Sequence, residues 1–444
     1  MKPRQMSVLM FGWEFPPHIS GGLGTACYGL TKSLIQQKVN ILFVVPKSHG
    51  DEEVALIDAG EIIIGDTTTH PTAHLVSKHG SHHAWMKKIK TDVHLSPYFS
   101  PGQTLRHTLE QWNYTDDPPA VEWVQDQATG KKGRRYHFTG NYGHHLMDEV
   151  GHYAEVAYEI AHRGDFDVIH AHDWLTFPAG IAAKDVSHKP LILHVHATEF
   201  DRAGENVDKR VYDIEKNGME KADRIVAVSQ WTKQVIHHRY HIPLNKITVV
   251  HNGVMPKSKM SFDKLPLLSS HVVTFLGRIT HQKGPHYFIR AAKLVLRKFP
   301  DTHFIMAGSG DLMVPMIETV AKMRMSSHFH FTGFLKGDQV DRVWAISSVY
   351  VMPSVSEPFG IAPLEAIQSD VPVIISNQSG VAEVIPHAIK VDFWNTEALA
   401  DAICHVLEHD SLSNTLKTMG RRELDKISWD RAARKIKKVY HELV

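Results

Sequence analysis

The densest group of chemically useful side chains surrounds a Pro-Phe-Gly turn. The stretch from Pro353 to Ala366 follows an apolar run and reads PSVSEPFGIAPLEA. Glu357 stands at the turn, and Glu365, which the spacing puts two turns into the next helix, could reach a ribose diol. Free backbone amides at the start of a helix favour an anion. The amides concerned are those of Phe359, Gly360 and Ile361. The alternative is an ordinary strand-to-helix loop with solvated carboxylates.

Two cations follow an earlier apolar run in the segment GRITHQKG at 277–284. Such a loop could aim Arg278 and Lys283 at one diphosphate, the guanidinium through paired hydrogen bonds and the ammonium as a point charge. Basic residues after a strand are usually just solvated. The weight of this pair therefore comes from its occurrence together with the Glu357 turn.

A glycine-rich loop lies near the N-terminus, where Gly21 and Gly22 precede a predicted helix. Glycines there let the backbone approach a phosphate at the start of the helix. The sequence GGLG is not the GxGxxG dinucleotide fingerprint. The second strand ends in Val45-Pro46-Lys47 rather than in an acidic residue, which disfavours a nicotinamide-dependent dehydrogenase.

Two more strand ends carry polar groups, His170-Ala-His172-Asp173 and His194-Val-His196. Strand alternation puts both histidines of each pair on one face, so four imidazoles could converge. A zinc site is the minor alternative, because no further ligand or supporting carboxylate can be identified. Histidines satisfied at a sheet edge are the ordinary interpretation, and we expect no metal.

Alternating apolar runs and helical stretches position these residues and indicate an α/β fold. Residues 1–254 predict one doubly wound parallel sheet, and the pattern restarts for a second sheet in residues 271–427. The stretch Met255 to Ser270, with Pro256, Pro266 and several serines, is the predicted linker. Two Rossmann-like halves would place the carboxyl ends of both sheets on one cleft.

Two segments do not follow this alternation of strands and helices. Residues 68–140 are polar and predict an insertion in the first domain, with short strands near Val121 to Val124 and Arg135 to Phe138. This insertion could be a flap on the acceptor side of the cleft or a surface segment without a function. Residues 428–444 predict an amphipathic helix. Docking of this helix on the N-terminal domain is favoured over peripheral contact with a membrane.

Composition excludes several classes of protein. With 444 residues, 43% of them hydrophobic, a large core is certain. A formal charge of +1 argues against a nucleic-acid coat. The cysteines, Cys27 and Cys404, exclude a disulfide scaffold and indicate a reducing setting. The absence of a long apolar run or signal peptide predicts a soluble, cytoplasmic chain.

Taken together, the motifs resemble those of retaining glycosyltransferases with the GT-B fold, in the family 4 and glycogen/starch synthase group. The resemblance covers essentially the whole chain. The motifs occur in the family's order: GGLG at 21–24, HAHDW at 170–174, HVHATEF at 194–200, GRITHQKG at 277–284 and SEPFGIAPLEA at 356–366.

The resemblance implies roles for individual residues. Arg278 and Lys283 would bind the diphosphate of a nucleotide-sugar donor, and Glu365 its ribose. Glu357 and His196 would contact the transferred sugar. The amides of residues 359–361 would bind sugar and phosphate, and Asp173 would lie toward the acceptor.

The implied function is transfer of a hexose, with glucose favoured, from a nucleoside diphosphate sugar to a glycan or other hydroxyl acceptor. No metal or other cofactor is expected. Ile19-Ser20 stands where bacterial glycogen synthases usually carry Lys-Thr, which weighs against glycogen elongation. The alternative from another class is a catalytically silent GT-B protein that binds nucleotide sugar or glycan as a sensor or partner.

Overall fold

The computed structural model describes residues 5–18, 21–49, 51–52, 56–59, 62, 64–65, 121–125, 132–140, 142–143, 145–255 and 271–444. Up to residue 255 the strands are β1 (Ser7–Phe11), β2 (Asn40–Val45), β3 (Ile57–Asp58), β4 (Ile64–Gly65), β5 (Val121–Gln125), β6 (Lys132–Tyr136), β7 (Val168–His172), β8 (Leu191–Val195), β9 (Arg224–Ala227) and β10 (Ile247–Val249). The helices are α1 (Gly22–Gln36), α2 (Leu146–Arg163), α3 (Phe177–Ser187), α4 (Glu199–Ala203), α5 (Lys209–Lys221) and α6 (Gln230–Tyr240).

Seven of these strands form one parallel sheet in the order β10-β9-β8-β7-β1-β2-β3. All residues of β7 and β8 are buried, as expected for strands covered by helices on both faces. The chain reverses its direction of travel across the sheet between β1 and β7. In an open α/β sheet, ligands bind beside the carboxyl ends of the strands at such a point.

The second domain repeats the arrangement. Its strands are β11 (Val272–Leu276), β12 (His303–Ala307), β13 (Phe329–Gly333), β14 (Val349–Met352), β15 (Val373–Ser376) and β16 (Ile389–Val391). Its helices are α7 (Pro285–Lys298), α8 (Met313–Lys322), α9 (Asp338–Ile346), α10 (Ala362–Gln368), α11 (Thr396–Glu408) and α12 (Asp410–Leu424). The strands are parallel in the order β13-β12-β11-β14-β15-β16, so the predicted pair of doubly wound sheets is confirmed.

The final helix, α13 (Trp429–Leu443), packs on α1 of the first domain. Its apolar face joins Leu30 and Leu34 of α1 in one buried cluster. A Cβ atom at Gly29 would lie 2.3 Å from the Trp429 indole nitrogen, so the absence of a side chain there allows the close approach. The apolar face of α13 is therefore buried against protein. Within the described part of the chain, no helix is long and apolar enough to cross a membrane.

The predicted insertion and linker are described only in part. Strands β4, β6 and β5 form a small antiparallel sheet in that order. Strand β5 lies where a short strand was predicted, and β6 overlaps the other predicted strand only at residues 135–136. Residues 66–120 and 256–270 lie outside the described residues. The two chain crossings between the domains lie side by side, because Val254 pairs with Ser428 in an isolated parallel bridge.

Candidate active site

The carboxyl ends of both sheets border one cleft with a volume of about 1660 Å³. Every residue predicted from the sequence to bind or react lines this cleft. From the first domain these are Gly21, Gly22, Asp173 and His196, and from the second Arg278, Lys283, Glu357, Phe359, Gly360, Ile361 and Glu365. Motifs as far apart in the chain as Gly21 and Glu365 thus meet at a single site.

The turn that carries Glu357 is held by backbone hydrogen bonds. The Glu357 amide donates to the Gln378 carbonyl at 2.9 Å, and the Glu357 carbonyl accepts from the Gly380 amide at 2.8 Å. Gly360 has φ +94°, a conformation that strains any residue with a side chain. Only 5% of Glu357 is exposed, so its carboxylate needs a partner.

Lys283 supplies that partner by donating from Nζ to Glu357 Oε2, and Ser354 Oγ donates to the same oxygen at 3.3 Å. The turn of Lys283 lies directly on the Glu357 loop. Gly284 has φ +64°, and a Cβ atom there would lie 2.1 Å from the Pro353 carbonyl oxygen. Pro285 then opens α7 at its first position, where a missing N–H costs no hydrogen bond.

Arg278 leaves the end of β11 on the same side of the cleft. Its Nη2 donates to Gln282 Oε1 at 3.2 Å, and the Gln282 carbonyl accepts from the Val355 amide at 2.8 Å. Gln282 therefore links the basic loop to the loop that carries Glu357. The loop after β12 approaches as well, since a Cβ atom at Gly308 would lie 1.9 Å from the Gly277 carbonyl oxygen.

Glu365 lies in the first turn of α10, not two turns into the helix as the sequence spacing predicted. The helix begins only at Ala362, because residues 359–361 form part of the turn itself. Phe359 is 2% exposed, and its carbonyl accepts from the Val381 amide at 2.8 Å. The Phe359 ring thus anchors the turn in the core while the chain after it borders the cleft.

Asp173 closes the first-domain side of the cleft. It adopts φ +59° directly after β7, and its Oδ1 accepts from the amides of His196 at 2.6 Å and Ala197 at 3.3 Å. Burial raises the pKa of Asp173 to about 7, although the Arg202 charge and the two amides oppose the rise. The carboxyl group therefore fixes the backbone at His196 and titrates near neutral pH.

The four histidines form one stack that leads from the cleft into the core. His172 Nδ1 and His196 Nε2 lie 2.9 Å apart, so one donates to the other, and His170 Nδ1 lies 2.6 Å from the Tyr440 hydroxyl of α13. The rings of His172 and His194 stack at 5.1 Å. Burial lowers the pKa of His170 and of His196 to about 3 and lowers the other two, so all four are neutral near pH 7.

Neutral imidazoles are suitable zinc ligands, and two sets in the stack have ligand atoms within 4.8 Å of one another. The sets are Cys27 with His172 and His196, and His170 with His172 and His194. Burial raises the pKa of the Cys27 thiol well above its usual value, which disfavours the thiolate that a metal requires. The raised pKa of Cys27 therefore weighs against zinc in the set that contains this thiol.

The sequence did not single out several other residues that line the cleft. Glu14, which is 7% exposed, accepts from the Gly24 amide at 3.0 Å and fixes the start of α1. Asn252 follows β10 and is equally buried. Lining residues also follow β12 and β13, among them Asp311 and Lys336. Their common signal is position after the carboxyl end of a parallel strand, which selects many residues besides these.

Comparison with known proteins agrees with this architecture. The model for "Glycosyl transferases group 1" matches residues 257–423, and the model for "Glycosyltransferase Family 4" matches residues 116–257. An uncharacterized glycosyltransferase of Methanocaldococcus jannaschii is 28% identical over 294 residues, covering 62% of this chain and 75% of that protein. A glycogen synthase of Mycobacterium tuberculosis is 23% identical over 443 residues, covering 98% of this chain and 94% of the relative.

Solved structures share the fold along the chain. Sucrose-phosphate synthase from Thermosynechococcus elongatus superposes with a TM-score of 0.69 at 17% identity, covering 99% of both chains. The HepE protein of Anabaena in complex with UDP-glucose gives a TM-score of 0.65 at 14% identity, covering 99% of this chain and all of that one. With two adjoining family models over residues 116–423 and GT-B neighbours over nearly its whole length, the chain belongs to the family 4 glycosyltransferases of the GT-B fold.

Proposed function

We propose that this protein is a retaining glycosyltransferase that moves a hexose from a nucleoside diphosphate sugar to a hydroxyl acceptor such as a glycan. The observation that carries the proposal is the convergence of two cations, two carboxylates and a glycine turn in one cleft between the sheets. Glucose is the favoured sugar, and the chemistry needs no metal.

The second domain holds the donor. Arg278 and Lys283 bind the diphosphate, and Glu365, in the first turn of α10, binds the ribose. Amides of the 359–361 turn contact sugar and phosphate. From the opposite wall, Gly21 and Gly22 bring backbone amides at the start of α1 toward the phosphates, where the helix dipole favours negative charge.

Glu357 and His196 hold the sugar. In either tautomer the hydrogen bond between His172 and His196 uses Nε2 of His196, so Nδ1 of His196 is left to bond a sugar hydroxyl. Glu357 is paired with Lys283, so the ammonium group can serve the carboxylate and the incoming diphosphate together. The electrostatic cost of burying Glu357 is thereby reduced before the donor arrives.

Transfer requires stabilisation of separated charge. As the sugar–phosphate bond breaks, positive charge develops at the anomeric carbon and negative charge on the leaving oxygen. Fixed cations and amides at the diphosphate lower that barrier. Retention then follows from attack on the face that the leaving group vacates, with the leaving phosphate taking the acceptor's proton and no protein nucleophile. A scheme with two opposed carboxylates is disfavoured, because the Glu357 carboxylate is engaged by Lys283.

Similarity to a glycogen synthase and to a structure with bound UDP-glucose supports a nucleotide-glucose donor, whereas an N-acetylglucosaminyltransferase and a galactosyltransferase are similar as well. The replacement of Lys-Thr by Ile19-Ser20 weighs against glycogen elongation; both residues lie outside the described ranges. Asp173 lines the first-domain wall of the cleft, and we assign it to the acceptor. The two cysteines are free and buried, which supports a reducing compartment such as the cytoplasm.

The alternative is a silent GT-B protein that binds a nucleotide sugar or glycan without transfer. Release of nucleoside diphosphate from UDP-, ADP- and GDP-linked glucose and mannose, with a panel of glycan acceptors, distinguishes the two. We expect one donor to be consumed and an NMR spectrum that shows the product in the donor's anomeric configuration.

Two variants test the site. Lys283→Ala and Glu357→Gln should abolish transfer, because both side chains lie in the cleft. The exposed Lys298–Glu408 pair of the same domain provides the matched controls Lys298→Ala and Glu408→Gln, which should keep wild-type turnover. Consumption of no donor by the wild-type protein contradicts the enzyme proposal, and full turnover in Lys283→Ala contradicts the site assignment.

A further inference from the structure

Both neighbours of Glu357 in the chain are held by side chains of the first domain. Ser356 Oγ donates to Asp201 Oδ1 at 2.6 Å. On the other side, the Pro358 carbonyl accepts from Ser229 Oγ at 2.6 Å and from Thr232 Oγ1 at 3.3 Å. We call the Asp201–Ser356 and Ser229–Pro358 hydrogen bonds the clasp. Glu357 therefore sits in a turn that is fastened from across the domain boundary at both ends.

The first-domain halves of the clasp are themselves fixed. Asp201 is 3% exposed, and its second oxygen, Oδ2, accepts from the Thr198 amide and hydroxyl at 2.8 Å each, which closes a capping box on α4. Ser229 caps α6 by accepting from the Thr232 amide at 2.9 Å. The two groups that reach the Glu357 turn are thus anchored to rigid elements and lose little freedom when they bond.

A third contact joins the same boundary. The Glu383 carboxylate, from the second domain, accepts from the amides of Gln230 and Trp231 at the start of α6, at 2.9 Å each. His251 Nε2 lies 2.7 Å from Glu383 Oε2. The short turn Gly380–Glu383 that carries Glu383 packs tightly here, because a Cβ atom at Gly380 would lie 2.1 Å from the Pro358 carbonyl oxygen.

We propose that Asp201 and Ser229 are positioning residues that place Glu357 only when the two domains are together. Separation of the domains breaks both bonds of the clasp and removes the first-domain supports on either side of Glu357. Closure of the cleft therefore completes the sugar-binding part of the site, and in an open cleft the Glu357 turn is held only by contacts within the second domain. This inference rests on the proposed contact of Glu357 with the donor sugar.

Kinetics of the full-length protein test the clasp. Ser356→Ala and Ser229→Ala remove one hydroxyl each and leave Asp201 and the Pro358 carbonyl in place. For the donor that the wild type consumes, kcat/KM should fall about fivefold in Ser229→Ala, the effect of one neutral hydrogen bond, at least as far in Ser356→Ala, whose acceptor is a carboxylate, and further in the double variant. Ser356→Thr, which keeps a hydroxyl, should recover most of the loss. Ser187→Ala is the matched control, since Ser187 Oγ donates to the Ala183 carbonyl and accepts from the Lys189 amide, both within the first domain and away from the boundary.

A distance measurement separates positioning from loss of stability. Spin labels at Glu220→Cys in the first domain and Ser411→Cys in the second report closure; both positions are exposed, and the natural cysteines are buried. With UDP, ADP or GDP added, the wild type should give one short distance. Ser356→Ala, which leaves the Ser229 cap of α6 in place, should populate a longer one while its thermal midpoint without nucleotide stays near that of Ser187→Ala.

The outcomes separate the two proposals. Full transfer by Glu357→Gln overturns the role of Glu357 and, with it, the clasp. An inactive Glu357→Gln together with clasp variants of wild-type kcat/KM, or with the wild-type label distance, overturns the clasp alone. Loss of kcat/KM with a longer label distance supports the coupling of closure to the position of Glu357.

Discussion

Replacement of Asp173 by asparagine should stabilise the protein at alkaline pH while it lowers transfer. The substitution keeps an oxygen that can accept from the amides of His196 and Ala197. It removes a carboxylate that is 7% exposed and whose pKa burial raises from 3.8 to about 7. A residue that lowers the stability of the fold, so that its replacement raises the free energy of unfolding, is typical of a site selected for function.

The magnitude follows from the difference between folded and unfolded pKa. Below pH 4 the carboxyl group is protonated in both states and contributes nothing. Between pH 4 and 7 the unfolded chain has lost the proton that the folded chain keeps, so the free energy of unfolding falls as the pH rises. Above pH 7 the loss levels off at about 4 kcal/mol, since one pKa unit corresponds to about 1.4 kcal/mol.

Urea-induced unfolding at pH 5 and pH 8, followed by tryptophan fluorescence, measures this effect. Asp173→Asn should gain over the wild type by an amount that grows by a few kcal/mol between the two pH values. Asp401→Asn, an exposed aspartate on α11, is the matched control and should show no such growth. A variant less stable than the wild type at pH 8, or a difference independent of pH, refutes the reasoning.

Three further predictions concern other parts of the molecule. Glu149 is fully buried, neither of its carboxyl oxygens is hydrogen-bonded within the described structure, and burial raises its pKa from 4.5 to about 10. Glu149→Gln should therefore raise the free energy of unfolding by about 3 kcal/mol at pH 7 and by little near pH 4.5. An effect that does not change with pH contradicts this prediction. Gly284→Ala should lower both the thermal midpoint and turnover, because the left-handed backbone and the Pro353 carbonyl leave no room for a Cβ atom; a wild-type midpoint would count against the described packing. EDTA should leave transfer unchanged, whereas a loss that Zn²⁺ restores would assign a metal to the histidine stack.

The sequence predicted the framework well because buried parallel strands are short apolar runs bounded by turn residues. The apolar runs Ser7 to Phe11 and Asn40 to Val45 predict β1 and β2 with the bounds that the structure has, whereas β6 begins three residues before the predicted strand Arg135 to Phe138. The sequence does not predict β3 and β16, because strands of two and three residues are too short to give a periodic signal. Glu365 was placed too deep in its helix because the turn before Ala362 uses residues that the pattern counted as helical.

The sequence could predict which residues line the cleft because each follows the end of a strand in a motif with an identifiable chemistry. The pKa values and the contacts between domains at the site could not be predicted in this way. The pKa of Asp173 depends on burial and on the charges of Arg202 and Glu215, which follow it only after further strands and helices. The Asp201–Ser356 bond joins positions 155 residues apart and depends on how one sheet lies against the other, which no local pattern records.

Direct measurement of nucleotide binding gives the sharpest test of the central claim that the cleft holds a nucleoside diphosphate sugar. UDP, ADP and GDP are titrated by calorimetry into the wild type, Lys283→Ala and the control Lys298→Ala. We predict that one nucleotide binds the wild type and the control equally and binds Lys283→Ala at least about tenfold more weakly, the loss expected for a charged hydrogen bond. Absence of binding by all three nucleotides, or equal binding by Lys283→Ala, would contradict the claim.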